Sequence, residues 1–168
     1  MNESPPRTAP GPLIRPAEPG DTEVLHRFIV ELAATEEFPG RVTAVPGDVA
    51  RALFGPHPVA EAVVATVAGR PAGFALFYPT YSTVLGRAGI HLEDLYVSPG
   101  HRGSGLGRAL LAYLARLAVG RGCGRLEWWV LHTNEHALRF YRRLHARPLD
   151  ELAVLRLDGA SLKELAGG

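Results

Sequence analysis

The chain has 168 residues, of which 46% are hydrophobic and 21% charged, and its formal net charge is +1. Such a chain can bury a core large enough to fold alone, and its near-neutral charge excludes a binder held to nucleic acid or anionic membrane by bulk electrostatics. Its one cysteine, Cys123, excludes an internal disulfide and a cysteine metal site.

Residues 1–11 are rich in Pro, Ser and charge and are expected to form a flexible tail. No linker or internal repeat follows, so residues 12–168 read as a single domain. Leu13 to Arg15 suggests a short strand. Asp21 is placed to cap a helix whose Val24, Leu25, Phe28, Ile29 and Leu32 recur with the 3.6-residue period, and Phe38-Pro39-Gly40 should end it. Asp48 to Phe54 suggests a shorter helix. Glu61 to Val67 and Pro71 to Tyr78 are β-branched or aromatic runs joined by Ala-Gly-Arg-Pro, the pattern of a hairpin. Ile90 to Val97 reads as the next strand. Leu106, Leu110, Leu114 and Leu117 then mark a helix ending near Arg121-Gly122. Arg125 to Leu131 reads as a strand, and Thr133 as the cap of a helix through Leu144 with Ala137, Phe140, Tyr141 and Leu144 on one side. Val154 to Leu157 suggests a last strand and Ser161 to Leu165 a final helical turn.

The predicted order is therefore β-α-α-β-β-β-α-β-α-β, a mixed α/β sheet with helices on its faces. No apolar stretch reaches the roughly 20 residues that span a bilayer, and Met1 to Pro12 has no apolar signal core. A cytoplasmic location, no membrane partner and no nucleic-acid partner are the expectations.

The most informative stretch is Leu92 to Leu111, LEDLYVSPGHRGSGLGRALL. A strand runs into a turn, and Arg102-Gly103-Ser104-Gly105-Leu106-Gly107-Arg108 opens a helix. Glycines let an anion approach the backbone, the first amides of the helix lie at the positive end of its dipole, and Arg102 carries a fork suited to phosphate. A glycine-rich turn that only eases helix packing is the plain alternative. The nucleotide-triphosphate loop is excluded, because it needs Gly-Lys-Ser/Thr and this segment has no lysine. The dinucleotide fingerprint fits Gly103 and Gly105 but meets Arg108 at its third glycine, and some 90 residues and several strands precede it.

Arg-x-x-Gly-x-Gly after a strand, followed by helix, strand and a helix bearing Phe-Tyr, resembles the GNAT superfamily of acetyl-CoA-dependent N-acetyltransferases. The resemblance extends over residues 12–160. His57-Pro58, YSTVLGR at 81–87, LEDLYV at 92–97, HRGSGLG at 101–107 and RFYRRL at 139–144 are similar to the diamine (spermidine/spermine) acetyltransferases and their thialysine-acetylating relatives. It implies a GNAT fold and acetyl-CoA as the only cofactor, with no metal. It further implies coenzyme contacts from Leu95 to Val97 (through Tyr96), from Arg102 to Arg108, and from Asn134 and Tyr141. A homodimer is expected from the same resemblance.

The chemistry must deal with an alkylamine that is almost wholly protonated at neutral pH, its pKa being ~10. The resemblance implies Glu93 as the base, directly or through water, and Tyr141 as the acid beside the leaving thiolate. Strand alternation would send Glu93 and the adjacent Asp94 to opposite faces, so that only one lines the site. The resemblance also implies that amides near Leu95 to Val97, where two strands splay, meet the developing oxyanion. Glu36, Ser82, Thr83 and Glu93 are the implied contacts of a small amine.

Four departures mark this chain. Val84 stands where the family commonly has Trp, which removes a cation–π wall. His132-Thr133 replaces the usual acid-Trp before Asn134, and His145 replaces a glycine, where a positive φ would be expected to carry some strain. Downstream, ELAVLRL at 151–157 lacks an expected Trp. The remaining histidines, His26, His57, His91, His101 and His136, show no metal spacing and read as surface or packing residues. The expected activity is direct acetyl transfer to a polyamine, diamine or lysine-like amino acid. Acetylation of a protein N-terminus or lysine, a non-catalytic coenzyme sensor and a dinucleotide-binding oxidoreductase are the alternatives.

Overall fold

A computed structural model describes residues 11–35 and 41–167. They separate into two compact units, one ending at Trp129 and the other beginning at Val130.

In the first unit five strands form one sheet in the order β1-β2-β3-β4-β5. They are β1 (Leu13–Pro16), β2 (Glu61–Val67), β3 (Arg70–Ser82), β4 (Arg87–Val97) and β5 (Leu126–Trp128). All neighbours are antiparallel except β4 and β5, which are parallel. The mixed sheet and the α/β class agree with the sequence pattern. β2 keeps its expected bounds, whereas β3 and β4 run longer than expected, because Tyr78 to Ser82 and Arg87 to His91 continue to pair in register.

Helix α1 (Thr22–Thr35) follows a 3₁₀ turn at Pro19–Asp21. Asp21 does not cap α1 with its own carboxylate. That group is bound by the Arg15 guanidinium at 2.7 and 2.9 Å and by the Glu18 amide at 2.8 Å, which ties β1 to the start of the helix. Helix α2 (Pro46–Phe54) starts two residues before Asp48, with proline in its first turn. Asp48 reaches back to the Val45 amide at 3.1 Å. Leu25, Phe28 and Leu32 of α1 and Val49 and Leu53 of α2 bury against Ala62, Val64, Phe74 and Tyr96 of the sheet. Each such large apolar side chain contributes about 1.5–3 kcal/mol when fully buried.

Helix α3 (Leu106–Gly120) covers the opposite face. Phe74 stacks with Phe28 of α1, ring centroids 6.0 Å apart, whereas a Cβ on the preceding Gly73 would lie 3.5 Å from Leu110 of α3. Adjacent strand residues point to opposite faces, so the two helix layers sandwich the sheet. That same Cβ would come within 2.5 Å of the Tyr96 carbonyl, a clash only glycine avoids.

The second unit holds α4 (Glu135–Arg142) and α5 (Gly159–Leu165). Asn134, rather than Thr133, caps α4, its side-chain oxygen accepting from the Ala137 amide at 3.1 Å. The chain leaves α4 through His145 at φ +60°, in the left-handed region, where a residue other than glycine carries some strain. The expected strand Val154–Leu157 is absent: these residues join no ladder, and Leu155 is 91% exposed. A strand needs a neighbour to take its backbone bonds, and none pairs with this segment among the described residues.

Candidate active site

The register between β3 and β4 slips at one point. Leu76 pairs with Asp94 and Phe77 with Leu92, so Glu93 is an extra residue, the signature of a β-bulge. Directly opposed residues share a face. Asp94 therefore shares the face of Leu76, and His91, opposite Tyr78, lies on that face too. Glu93 points the same way, its Oε2 3.8 Å from His91 Nε2. The expectation that Glu93 and Asp94 point to opposite faces is thus overturned. The bulge inserts one residue and brings both carboxylates to the face that α1 and α2 cover. Glu93 is half exposed and Asp94 partly buried.

Tyr78 is pushed above the ordinary tyrosine range, first by burial and then by the charge of Glu93 and hydrogen bonding to it. Its ring stacks on His91 with centroids 5.0 Å apart. Sequence reasoning passed over Tyr78 and assigned His91 to the surface or to packing. The available signal was alternation itself, since His91 precedes Glu93 by two residues and so shares its face in a strand.

The ladder between β4 and β5 is short: Ile90, His91 and Leu92 pair with Leu126, Glu127 and Trp128. From Glu93 to Val97, β4 continues without a strand on that side among the described residues. Leu95 and Val97 are half-buried, and the Tyr96 ring is buried in the core.

The turn after β4 is held by its own backbone. Ser98 binds the Ala72 carbonyl through both its amide and its hydroxyl, each at 2.9 Å. A 3₁₀ turn at Pro99–His101 follows, and the Ser104 hydroxyl closes onto the His101 carbonyl at 2.6 Å. Gly103 and Gly105 take φ of +76° and +87°, values that cost most residues strain. Gly105 is the residue before α3, which starts with no side-chain cap, so the first amides, at Leu106, Gly107 and Arg108, have no side-chain acceptor there. A Cβ at Gly103 or Gly105 would meet open space. Arg102 folds back, Nε 3.1 Å from the Val97 carbonyl and its guanidinium carbon 6.0 Å from the centre of the Tyr96 ring. A bare helix start beside an arginine suits a phosphate-bearing coenzyme.

The other expected contacts are dispersed. Ser82 is buried, its hydroxyl accepting from the Leu85 amide at 3.2 Å, while Thr83 and Val84 lie exposed in the turn before Gly86. Glu36 lies outside the described residues. Asn134 and Tyr141 belong to the second unit, where Tyr141 is partly buried on α4 with its ring centroid 5.2 Å from that of Phe140. Among the described residues no group of three or more His, Cys, Asp or Glu could hold a metal ion, and no helix is long and apolar enough to cross a membrane.

Residues 27–146 match the family model described as acetyltransferase (GNAT) family. The chain is 34% identical to thialysine N-epsilon-acetyltransferase of Bos taurus over 92% of this chain and 97% of the relative. It is 35% identical to the Sus scrofa protein of the same name, with the same coverage. Among solved structures it resembles an integron cassette protein of V. cholerae, with a TM-score of 0.77, 26% identity, and coverage of 94% of this chain and 98% of the other.

Proposed function

The chain belongs to the GNAT family of acetyltransferases, and from that premise we propose that it acetylates a small amine such as a polyamine, diamine or lysine-like amino acid. The observation that carries this reading is the continuity of β4, turn and α3: one segment presents Glu93 on a bulge and, thirteen residues later at Leu106, the uncapped helix start. Full-length relatives named for thialysine acetylation support a small primary amine as substrate.

Acetyl-CoA, when bound, supplies an acetyl group activated as a thioester. The amides of Leu106, Gly107 and Arg108 and the fork of Arg102 would hold its diphosphate, with Gly103 and Gly105 keeping side chains out of the way. Glu93 takes a proton from the incoming ammonium, leaving a neutral amine able to attack. Its half-exposed position suits it to that task, because the amine must reach it from solvent. The β4 edge from Glu93 to Val97 offers backbone amides suited to charge developing on an oxygen. Tyr141 donates to the departing sulfur. A phenol of pKa ~10 protonates a thiolate whose conjugate thiol has pKa ~8.5 only uphill, so it helps most by hydrogen bonding as charge develops. The case for Tyr141 and Asn134 rests on the family motif. Asn134 uses its oxygen as a helix cap, so its amide nitrogen is the end suited to a ligand.

We infer a cytoplasmic homodimer acting as a single-domain enzyme. Support for the dimer is the run of exposed Leu152, Val154, Leu155 and Leu157, which a second copy could cover. Support for the reducing compartment is the lone free thiol of Cys123.

The test is an amine panel with acetyl-CoA and a free-thiol readout, using spermidine, putrescine, thialysine, lysine and a short peptide. Thiol release with one or more small amines is expected. Release with the peptide alone would replace the reading by protein acetylation, and release with none would overturn it.

A further inference from the structure

His91 is one of three buried polar residues in the described core, with Asp21 and Ser82. Asp21 is held by Arg15 and Ser82 closes a turn. His91 has a different setting. Its ring is stacked on Tyr78 at 5.0 Å and meets the edge of Trp129 at 4.9 Å and 71°. One stacked and one edge-on aromatic contact fix the plane of the imidazole, with Nε2 lying 3.8 Å from Glu93 Oε2.

We propose that His91 is a positioning residue for acetyl transfer, its neutral imidazole supporting Glu93 as a proton acceptor and its protonated form pairing with Glu93 and withdrawing it. This rests on the reading of Glu93 as the acceptor. The separation of 3.8 Å is an ion-pair distance, longer than a direct hydrogen bond, so the contact strengthens when the ring gains charge. His91 is only 7% exposed at its side chain and Glu93 50%, so the attraction is weakly screened at one end and open to substrate at the other. Imidazole is the side chain that changes charge between about pH 5 and 8, where a carboxylate alone would stay ionised. An imidazolium there also places a positive charge where an ammonium must dock.

Other titratable groups lie near His91 on the neighbouring strands and on β4 itself. β3 presents the neutral phenol of Tyr78. Across the β5 ladder lies Glu127, bound by Arg125 at 3.1 Å. On β4, Asp94 shares the face one residue beyond Glu93.

The experiment compares wild type, His91→Phe, His91→Gln and Glu93→Gln. His91→Phe keeps the stack and removes both nitrogens. It should lower kcat at pH 7.5 by about 10- to 100-fold, the range for a misplaced catalytic group. Coenzyme affinity should be retained, and the fall in rate between pH 8 and 5 should flatten. His91→Gln, which keeps a polar end, should recover part of kcat without restoring that fall. An unchanged kcat and pH profile in His91→Phe would overturn the proposal. Should that variant unfold, His91→Gln decides: it keeps a polar end without the imidazole, and a kcat equal to that of the wild type would overturn the proposal. Full turnover in Glu93→Gln would instead remove Glu93 as acceptor, a separate failure.

Discussion

Tyr96 on β4 donates its phenolic hydrogen to the carboxylate of Glu31 on α1. The bond ties the helix covering the sheet to the strand that leads into the glycine turn, and the Tyr96 ring also carries Arg102. Burial, then Glu31, pushes the Tyr96 phenol up to about 12.

Tyr96→Phe keeps the ring and removes the donor. It should destabilise the fold by about 1 kcal/mol, since Glu31 is partly exposed and regains water. Because the folded value is raised above the ordinary 10.0, the phenol's contribution is complete below pH 10 and fades as pH rises toward about 12. Urea midpoints of the two proteins should differ at pH 8 and converge as pH approaches 12.

Asp21 behaves in the opposite sense. The Arg15 guanidinium, as the largest cause, holds its carboxyl below the ordinary 3.8. A depressed value stabilises above 3.8, and the gain is lost as pH falls through the folded value. Asp21→Asn should therefore cost about 1–2 kcal/mol at pH 7. The gap to wild type should close below pH 3.8 in thermal melts.

Arg102→Ala should weaken coenzyme binding about 10- to 100-fold in calorimetry, the worth of a charge-assisted contact. Equal affinity would remove the phosphate role from Arg102, though not from the amides that follow it.

Tyr141→Phe should lower turnover by about 10- to 1000-fold with coenzyme affinity retained, within the range of a general acid. Unchanged turnover would take Tyr141 out of the reaction.

Much of this was legible from residue order. The apolar period of Leu25, Phe28 and Leu32 located α1 because a helix must bury one stripe. The glycine segment announced the start of α3 because Gly103 and Gly105 take angles other residues avoid. Val154 to Leu157 misled for the same physical reason that strand patterns succeed elsewhere: alternation records which side chains want cover, and the cover must come from another strand.

By itself, the sequence determined the family, the order of the main elements and the turn suited to phosphate, because each is written in local spacing and side-chain type. Only the tertiary structure decided that Glu93 and Asp94 share a face and that His91 turns toward Glu93. A bulge is a mismatch between two strands, so Leu76 and Phe77 on β3 place those side chains as much as β4 does.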